Sequence, residues 1–392
     1  MRTVKWNPFL SGGCMLLGAM LLWAGAARAD VSSTNAAAIL IFPKVVVDEG
    51  INTEIQLTNT SGDPVNVRCF YINANGHCAN APGVVCDPNG DPAHSPCSRS
   101  ACLQGCQETD FRFRLTSKQP IAWTAADGLL DFPLATKPGA PGQFNTDSSI
   151  PGVPEVPFVG ELKCIEVDAN DVPLGSNDLK GEATITTDEP NIDIRGYNGI
   201  GVQAIAKDKV NTDNTLCLGG SSGSQLCPTA EYNSCPAVLL LDHFFDGSPE
   251  PALGDTVTTD LTLVPCSEDL NLQIPVSTQV QFLVFNEFEQ RFSTSRRLNC
   301  FWELGLSDID TRPGPGDDWA SIFNVAVEGT LSGQTQIRGV GAGHGLLGVA
   351  EEFHANTERL HSAAFALDQR GTRAQPDTIV LPAPLPPPTS TP

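Results

Sequence analysis

Two acidic loops come closest to a chemical constellation. Asp168, Asn170 and Asp171 crowd one loop, with Asn177, Asp178 and Glu182 soon after, and Asp308 and Asp310 precede Asp317 and Asp318 in another. Clustered carboxylate and amide oxygens suit Ca²⁺, which takes roughly six to eight oxygen ligands from a flexible loop. The regular spacing of a helix-loop-helix calcium site is absent, so solvated acidic turns compete with that reading. Cys78, Cys86, Cys97, Cys102 and Cys106 lie near His77 and His94, and thiolates with imidazoles are the usual ligands of zinc. No paired C-x-x-C knuckle occurs among them, which favours disulfides closing an irregular insertion.

Other groupings are weaker. Asp242-His243-Phe244-Phe245-Asp246, and His354 with His361, gather possible metal ligands without the H-E-x-x-H spacing of a helical zinc site. Gly219-Gly220-Ser221-Ser222-Gly223 fits the G-x-S-x-G pattern of a nucleophile elbow. That motif needs a strand before it and a helix after it, whereas here it sits in a turn-rich stretch between Cys217 and Cys227. Gly343-His344-Gly345-Leu346-Leu347-Gly348 fits G-x-G-x-x-G but lacks a βαβ unit, so a tight loop before a strand is expected. Paired carboxylates could hydrolyse a glycoside. A chain with 45 Asp and Glu always offers some pair, so that signal has little specificity.

The elements that must position these residues read as strands. Thr53-Glu54-Ile55-Gln56-Leu57 alternates, and a turn at 59–64 leads into Val65, Val67, Cys69 and Tyr71 on one face. Phe111 to Leu115 alternates as cleanly, and further strands are expected at 158–168, 182–187, 192–196, 200–206, 237–241, 256–264, 279–286, 322–328, 334–338 and 345–350. Many short strands with Gly, Pro and Asn turns, and no βαβ rhythm, predict an all-β fold of sandwich type. Residues 350–367 are ambiguous, because Ala350, Phe353, Thr357, Leu360, Ala364 and Leu367 also fit helical spacing.

A weak internal repeat predicts two related units. Thr53–Leu57 resembles Thr259–Leu263. Arg112-Phe113, Thr116, Lys118, Trp123 and Asp131 match Arg291-Phe292, Ser295, Arg297, Trp302 and Asp310 without a gap, and Phe158–Gly160 resembles Leu346–Gly348. The expected layout is a first sandwich at 30–210 carrying a Cys-rich insertion at 74–110, and a Cys/Gly/Ser-rich connector at 211–235. A second sandwich follows at 236–375, then a Pro-rich disordered tail at 376–392, whose composition favours extended polyproline II.

Residues 1–29 have a basic start, an apolar run from Met15 to Ala24 and the small-residue site Ala27-Arg28-Ala29, the layout of a secretory signal cleaved before Asp30. Loss of three basic residues takes the formal charge from −22 to −25, and loss of Cys14 leaves 12 cysteines of 13. An exported chain with an even set reads as disulfide-bonded, with pairing not deducible from sequence. Cys69 could meet the insertion or Cys164; Cys217, Cys227 and Cys235 would staple the connector; Cys266 and Cys300, alone in the second half, would pair. The acidity excludes an electrostatic footprint for nucleic acid. No second apolar run of spanning length follows the signal, so no transmembrane segment is expected in the mature chain.

The run from Phe42 to Val65, with its core Thr53-Glu-Ile-Gln-Leu-Thr-Asn-Thr-Ser61, resembles the opening strands of immunoglobulin-like domains in exported bacterial proteins. The chain is similar to uncharacterised members of that group. The resemblance implies tandem immunoglobulin-like β-sandwiches and a periplasmic, cell-surface or extracellular location, and carries over no catalytic residue. The expected role is a structural or adhesive module without catalytic activity, meeting a surface, protein or glycan partner. The rivals are an exported hydrolase using acidic loop residues and a periplasmic subunit of an envelope assembly.

Overall fold

The structure, a computed structural model, describes residues 31–88, 95–98, 100–129, 150–188, 192–206, 213–250, 252, 254–310, 312–313, 319–341 and 343–384. The expected secretory signal at 1–29, His94, Asp131, Asp317, Asp318 and residues 385–392 of the expected Pro-rich tail lie outside the described residues.

The fold is all-β. Nine strands build the first half: β1 (Ile39–Val47), β2 (Ile51–Asn59), β3 (Val65–Asn73), β4 (Gln107–Leu115), β5 (Pro120–Thr124), β6 (Phe158–Val167), β7 (Leu179–Thr187), β8 (Asp193–Asn198) and β9 (Ile200–Val202). They form one sheet of order β9-β1-β6-β3-β4 and another of order β8-β7-β2-β5. The connector contributes β10 (Thr215–Leu218).

The second half repeats the pattern with β11 (Pro236–Phe244), β12 (Thr256–Pro265), β13 (Ser277–Asn286), β14 (Arg291–Asn299), β15 (Trp302–Gly305), β16 (Ser332–Val340), β17 (Leu346–Ala355), β18 (Leu360–Ala366) and β19 (Asp368–Thr372). Its sheets run β19-β11-β16-β13-β14 and β18-β17-β12-β15. Each strand of the second half therefore takes the place of the strand ten numbers earlier. The repeat read from sequence is a repeat of topology, and Trp123 on β5 and Trp302 on β15 stand in equivalent strands beside Ile55 and Leu263. One of its matches needs correction. Phe158–Gly160 opens β6, whose counterpart is β16, whereas Leu346–Gly348 opens β17. The resemblance there was between two apolar strand starts, not two equivalent strands.

Residues 350–367 are not a helix. They fall on β17 and β18, a hairpin in which His354 faces His361 across the ladder. The apolar spacing that fits a helix also fits two strands whose outward faces pack on the first half, as Val349 and Ala364 do. The expected tail also differs. Asp377–Val380 form β20, which pairs antiparallel with β10 and parallel with the short strand Glu268–Asp269. Ile379 and Leu381 drive this order because they enter the core between the halves.

Three cores follow. One lies between the two sheets of the first half and one between those of the second. The third fills the space between halves, where Ile39, Ile41, Phe70, Ile72 and Ile165 project from the back of sheet β9-β1-β6-β3-β4. They meet Leu216, Leu218 and Ile379 of the β10/β20 layer, together with Val264 and Leu347 of the second half. Strands β1 and β6 are buried on both faces, so their runs ILIFPKVVV and FVGELKCIEV are apolar without clean alternation. Full burial of each large side chain contributes about 1.5–3 kcal/mol.

Six disulfides use all 12 cysteines after residue 14. Cys69–Cys164 joins directly opposed residues of β3 and β6. Cys78–Cys97 and Cys86–Cys102 close the insertion, and Cys217–Cys227 closes the connector loop. The expected Cys266–Cys300 pair does not form. Cys266 pairs with Cys235 and Cys300 with Cys106, so the insertion is tied to the second half across 194 residues. Sequence proximity misled because the first half packs on sheet β18-β17-β12-β15 of the second, which brings the insertion of one beside the β14–β15 corner of the other.

Candidate functional site

Charges set inside apolar strands were passed over at the sequence level, and the fold places them all between the halves. Lys44 interrupts β1, Arg68 β3, Lys163 β6 and Arg195 β8. Each reaches a group in the second half or the C-terminal segment. Lys44 Nζ lies 2.6 Å from Glu303 and also contacts Glu351. Arg195 Nε donates to Glu351 at 2.5 Å. Lys163, fully buried, contacts Glu268 and lies 2.7 Å from Glu161. Arg68 pairs with Asp110 and donates to the carbonyls of Pro382 and Ala383 at 3.2 and 3.0 Å. A Lys or Arg within an otherwise apolar strand run is the signal that could have located this joint, since such a charge must find a partner.

Burial governs the protonation of these groups. It pushes the Glu161 carboxyl up to about 8, with Lys163 opposing and Glu268 adding to the rise. With Glu161 protonated, the group holds one cation against one anion. Burial opposes the charge on Lys44, but Glu303 and Glu351 outweigh it and leave the ammonium raised. Burial likewise disfavours the Glu351 carboxylate, while Lys44 and Arg195 hold it below its ordinary range. Asp260, beside this cluster, is pushed up to about 6 by burial and by Glu303 and Glu351, against the pull of Lys44.

A cavity of about 590 Å³ opens where the insertion faces the second half, between Asn75, Pro88 and Pro96 on one wall and Asp260, Glu303 and Asp308 on the other. Oxygens of Asp260, Glu303 and Glu351 lie within 4.8 Å of one another. Lys44 bridges two of the three.

The predicted calcium loops do not converge. Asp168 Oδ1 accepts the backbone N–H groups of Asn170 and Val172, folding its own turn. Asp171 takes a positive φ of 62° and pairs with Arg112 at 3.2 Å. Far along the chain, Asp310 accepts the Thr294 hydroxyl, and the Asp308 carbonyl accepts Arg296. Among the clustered cysteines, Cys78, Cys86, Cys97 and Cys102 are held in disulfides rather than on a metal, and His77 contacts Glu155 at 3.1 Å. His243 is buried, donating from Nδ1 to the Phe244 carbonyl and accepting the Thr335 hydroxyl at Nε2; burial lowers it to about 4. Asp246 accepts the N–H groups of Thr259 and Ser307 and so fastens β12 to the turn after β15. His354 contacts Glu352 at 2.7 Å.

The glycine motifs are structural. Gly219 takes a φ of +79°, which favours glycine, in the loop closed by Cys217–Cys227. A Cβ on Gly345 would fall 2.6 Å from Cys235 Cβ and 2.7 Å from Asp377 Oδ2.

The back of sheet β19-β11-β16-β13-β14 is the largest contrast with the first half. Its outward residues are exposed or half-buried: Gln279, Gln281, Leu283 and Phe285 on β13, Ser293, Ser295 and Arg297 on β14, and Gln334, Gln336 and Arg338 on β16. At one end, a cavity of about 560 Å³ is lined by Phe244, Phe285, Gln334 and Glu352. No family model and no curated protein matches the chain.

Proposed function

We propose that this chain is an exported binding module of structural or adhesive type. It acts in the periplasm, at the cell surface or outside the cell, without catalysis. Its two halves are read as tandem immunoglobulin-like sandwiches. Pairing of the second strand with the fifth and the third with the sixth corresponds to the B–E and C–F pairs of that fold. The first strand joins the sixth and the seventh joins the second, which departs from it.

The observation that carries the reading is the open back of sheet β19-β11-β16-β13-β14, whose counterpart in the first half is covered over all but its β4 edge. A six-disulfide scaffold that leaves one broad, mostly polar sheet face uncovered suits presentation to a partner. Co-sedimentation of the purified chain with envelope preparations tests it. Gln281→Asp with Gln336→Asp is expected to abolish sedimentation, while Gln56→Asp on the outer face of β2 leaves it intact. Equal sedimentation of both variants overturns the reading.

The hydrolase alternative rests on Asp260, raised to about 6 beside Glu303 in the cavity between the halves. A general acid needs such a shift. Lys44 reaching Glu303 and Glu351 favours a structural latch instead. Glycoside turnover lost in Asp260→Asn at unchanged Tm would favour the enzyme.

A further inference from the structure

Of the 15 arginines in the chain, five are paired with carboxylates among the described residues. Arg68, Arg112, Arg195, Arg359 and Arg373 each lie within ion-pair distance of a carboxylate. The open face of the second half holds three of the others. Among the described residues, no carboxylate pairs with Arg291, Arg297 or Arg338, although Asp and Glu outnumber Lys and Arg by 45 to 23. Arg297 Nε donates to the Ser277 hydroxyl at 2.6 Å. Arg338 Nε and Nη2 both donate to Gln281 Oε1, at 2.9 and 2.6 Å. Neutral partners of this kind orient a guanidinium and leave its charge unmet.

Register arranges these groups in rows across the sheet. Arg297 stands opposite Gln279, and Gln281 lies between Ser295 and Arg338. Neighbouring strands are about 4.8 Å apart, so a guanidinium, an amide and a hydroxyl recur at intervals comparable to the width of a sugar ring. The outward residues of these strands are mostly polar, Leu283 and Phe285 excepted, which suits an extended ligand rich in hydroxyls. The unmet charge of the face calls for carboxylates, which Arg binds in bidentate fashion.

We propose that the outer face of β13, β14 and β16 binds an acidic polysaccharide, a chain of carboxylate-bearing sugars. Arg291, Arg297 and Arg338 meet the carboxylates, while Gln279, Gln281 and Gln336 meet the hydroxyls. This rests on the binding-module reading and names its ligand class. Recognition by guanidinium and amide groups also accords with the burial of Tyr71, Tyr197 and Tyr232, none of which is offered for ring stacking.

Affinity electrophoresis of the full chain in gels containing polygalacturonate, with dextran as the neutral control, tests the assignment. Retardation by polygalacturonate alone is expected, with the apparent Kd raised at least tenfold in Arg297→Gln/Arg338→Gln and unchanged in Lys180→Gln on the opposite side of the first half. No retardation by polygalacturonate, or equal retardation by dextran, overturns it. Concentration-dependent dimerisation of the chain alone, abolished by the same double variant, would assign the face to a second copy and also overturn it. Envelope co-sedimentation that survives while polygalacturonate binding fails would sink the ligand class and spare the binding module.

Discussion

Sheets β9-β1-β6-β3-β4 and β19-β11-β16-β13-β14 share one strand order and meet opposite fates. The back of the first carries Ile39, Ile41, Phe70 and Ile72 and disappears beneath the β10/β20 layer and the second half. The back of the second carries Gln279, Gln281, Gln336, Arg297 and Arg338 and faces solvent. Strand topology is thus indifferent to what covers a sheet; the covered back is mainly apolar, with its Arg68, Glu161 and Lys163 met by partners, and the open back is mainly polar. The comparison also sets the covered, mainly apolar sheet of the first half against the proposed recognition face of the second.

The most severe way to probe the buried side is Lys163→Ala. Removing this cation leaves Glu268 charged in the core beside Glu161, at an expected cost of about 3–5 kcal/mol in denaturant unfolding. A loss below about 1 kcal/mol would mean that the joint is not a closed ionic core. Next comes a matched pair of truncations. Phe70→Ala on the covered back should cost about 3 kcal/mol, and Phe285→Ala on the open back about 1 kcal/mol. Equal losses would erase the distinction between the two sheets.

Titration sharpens the contrast further. Burial raises Glu161 and Glu166, both in β6, to about 8, so the folded state binds more protons than the unfolded chain between roughly pH 4.5 and 8. Stability is therefore expected to fall as pH climbs through that window, the reverse of the usual carboxylate case. The Glu351 carboxylate, held low by Lys44 and Arg195, works oppositely and loses its contribution as pH falls below 4.5. Denaturant midpoints measured from pH 5 to 8.5 should decline, and Glu161→Gln should flatten the decline. A midpoint that rises over this range would contradict the burial of Glu161. The smallest effect is expected at the open face, where Ser293→Ala should change stability by less than about 0.5 kcal/mol.

Much of the first half was legible. Alternation at Thr53–Leu57 and Phe111–Leu115 marks strands because a half-buried sheet imposes period two on polarity. Strand β1, buried on both faces, was missed because its nearly continuous apolar run carries no period, whereas β6 was expected at 158–168. Residues 350–367 were ambiguous because a hairpin whose strands pack on different surfaces yields spacings that also fit a helix. The acidic loops stood out by composition, yet Asp168 and Asp171 spend their oxygens on a local turn and on Arg112. The open face was not legible at all. Gln281, Ser295 and Arg338 lie on three strands, and only register makes them neighbours.

The sequence by itself determined the all-β class, the order of most strands and the duplication, because these depend on local polarity patterns that recur along the chain. It also determined that the 12 cysteines after Cys14 form an even set available for pairing. Tertiary structure alone decided that Cys106 meets Cys300, that the last strand returns to the centre of the molecule, and that four cations of the first half are buried against the second half and the C-terminal segment. Those outcomes depend on how two complete sheets pack, and packing brings together residues whose separation along the chain carries no record of it.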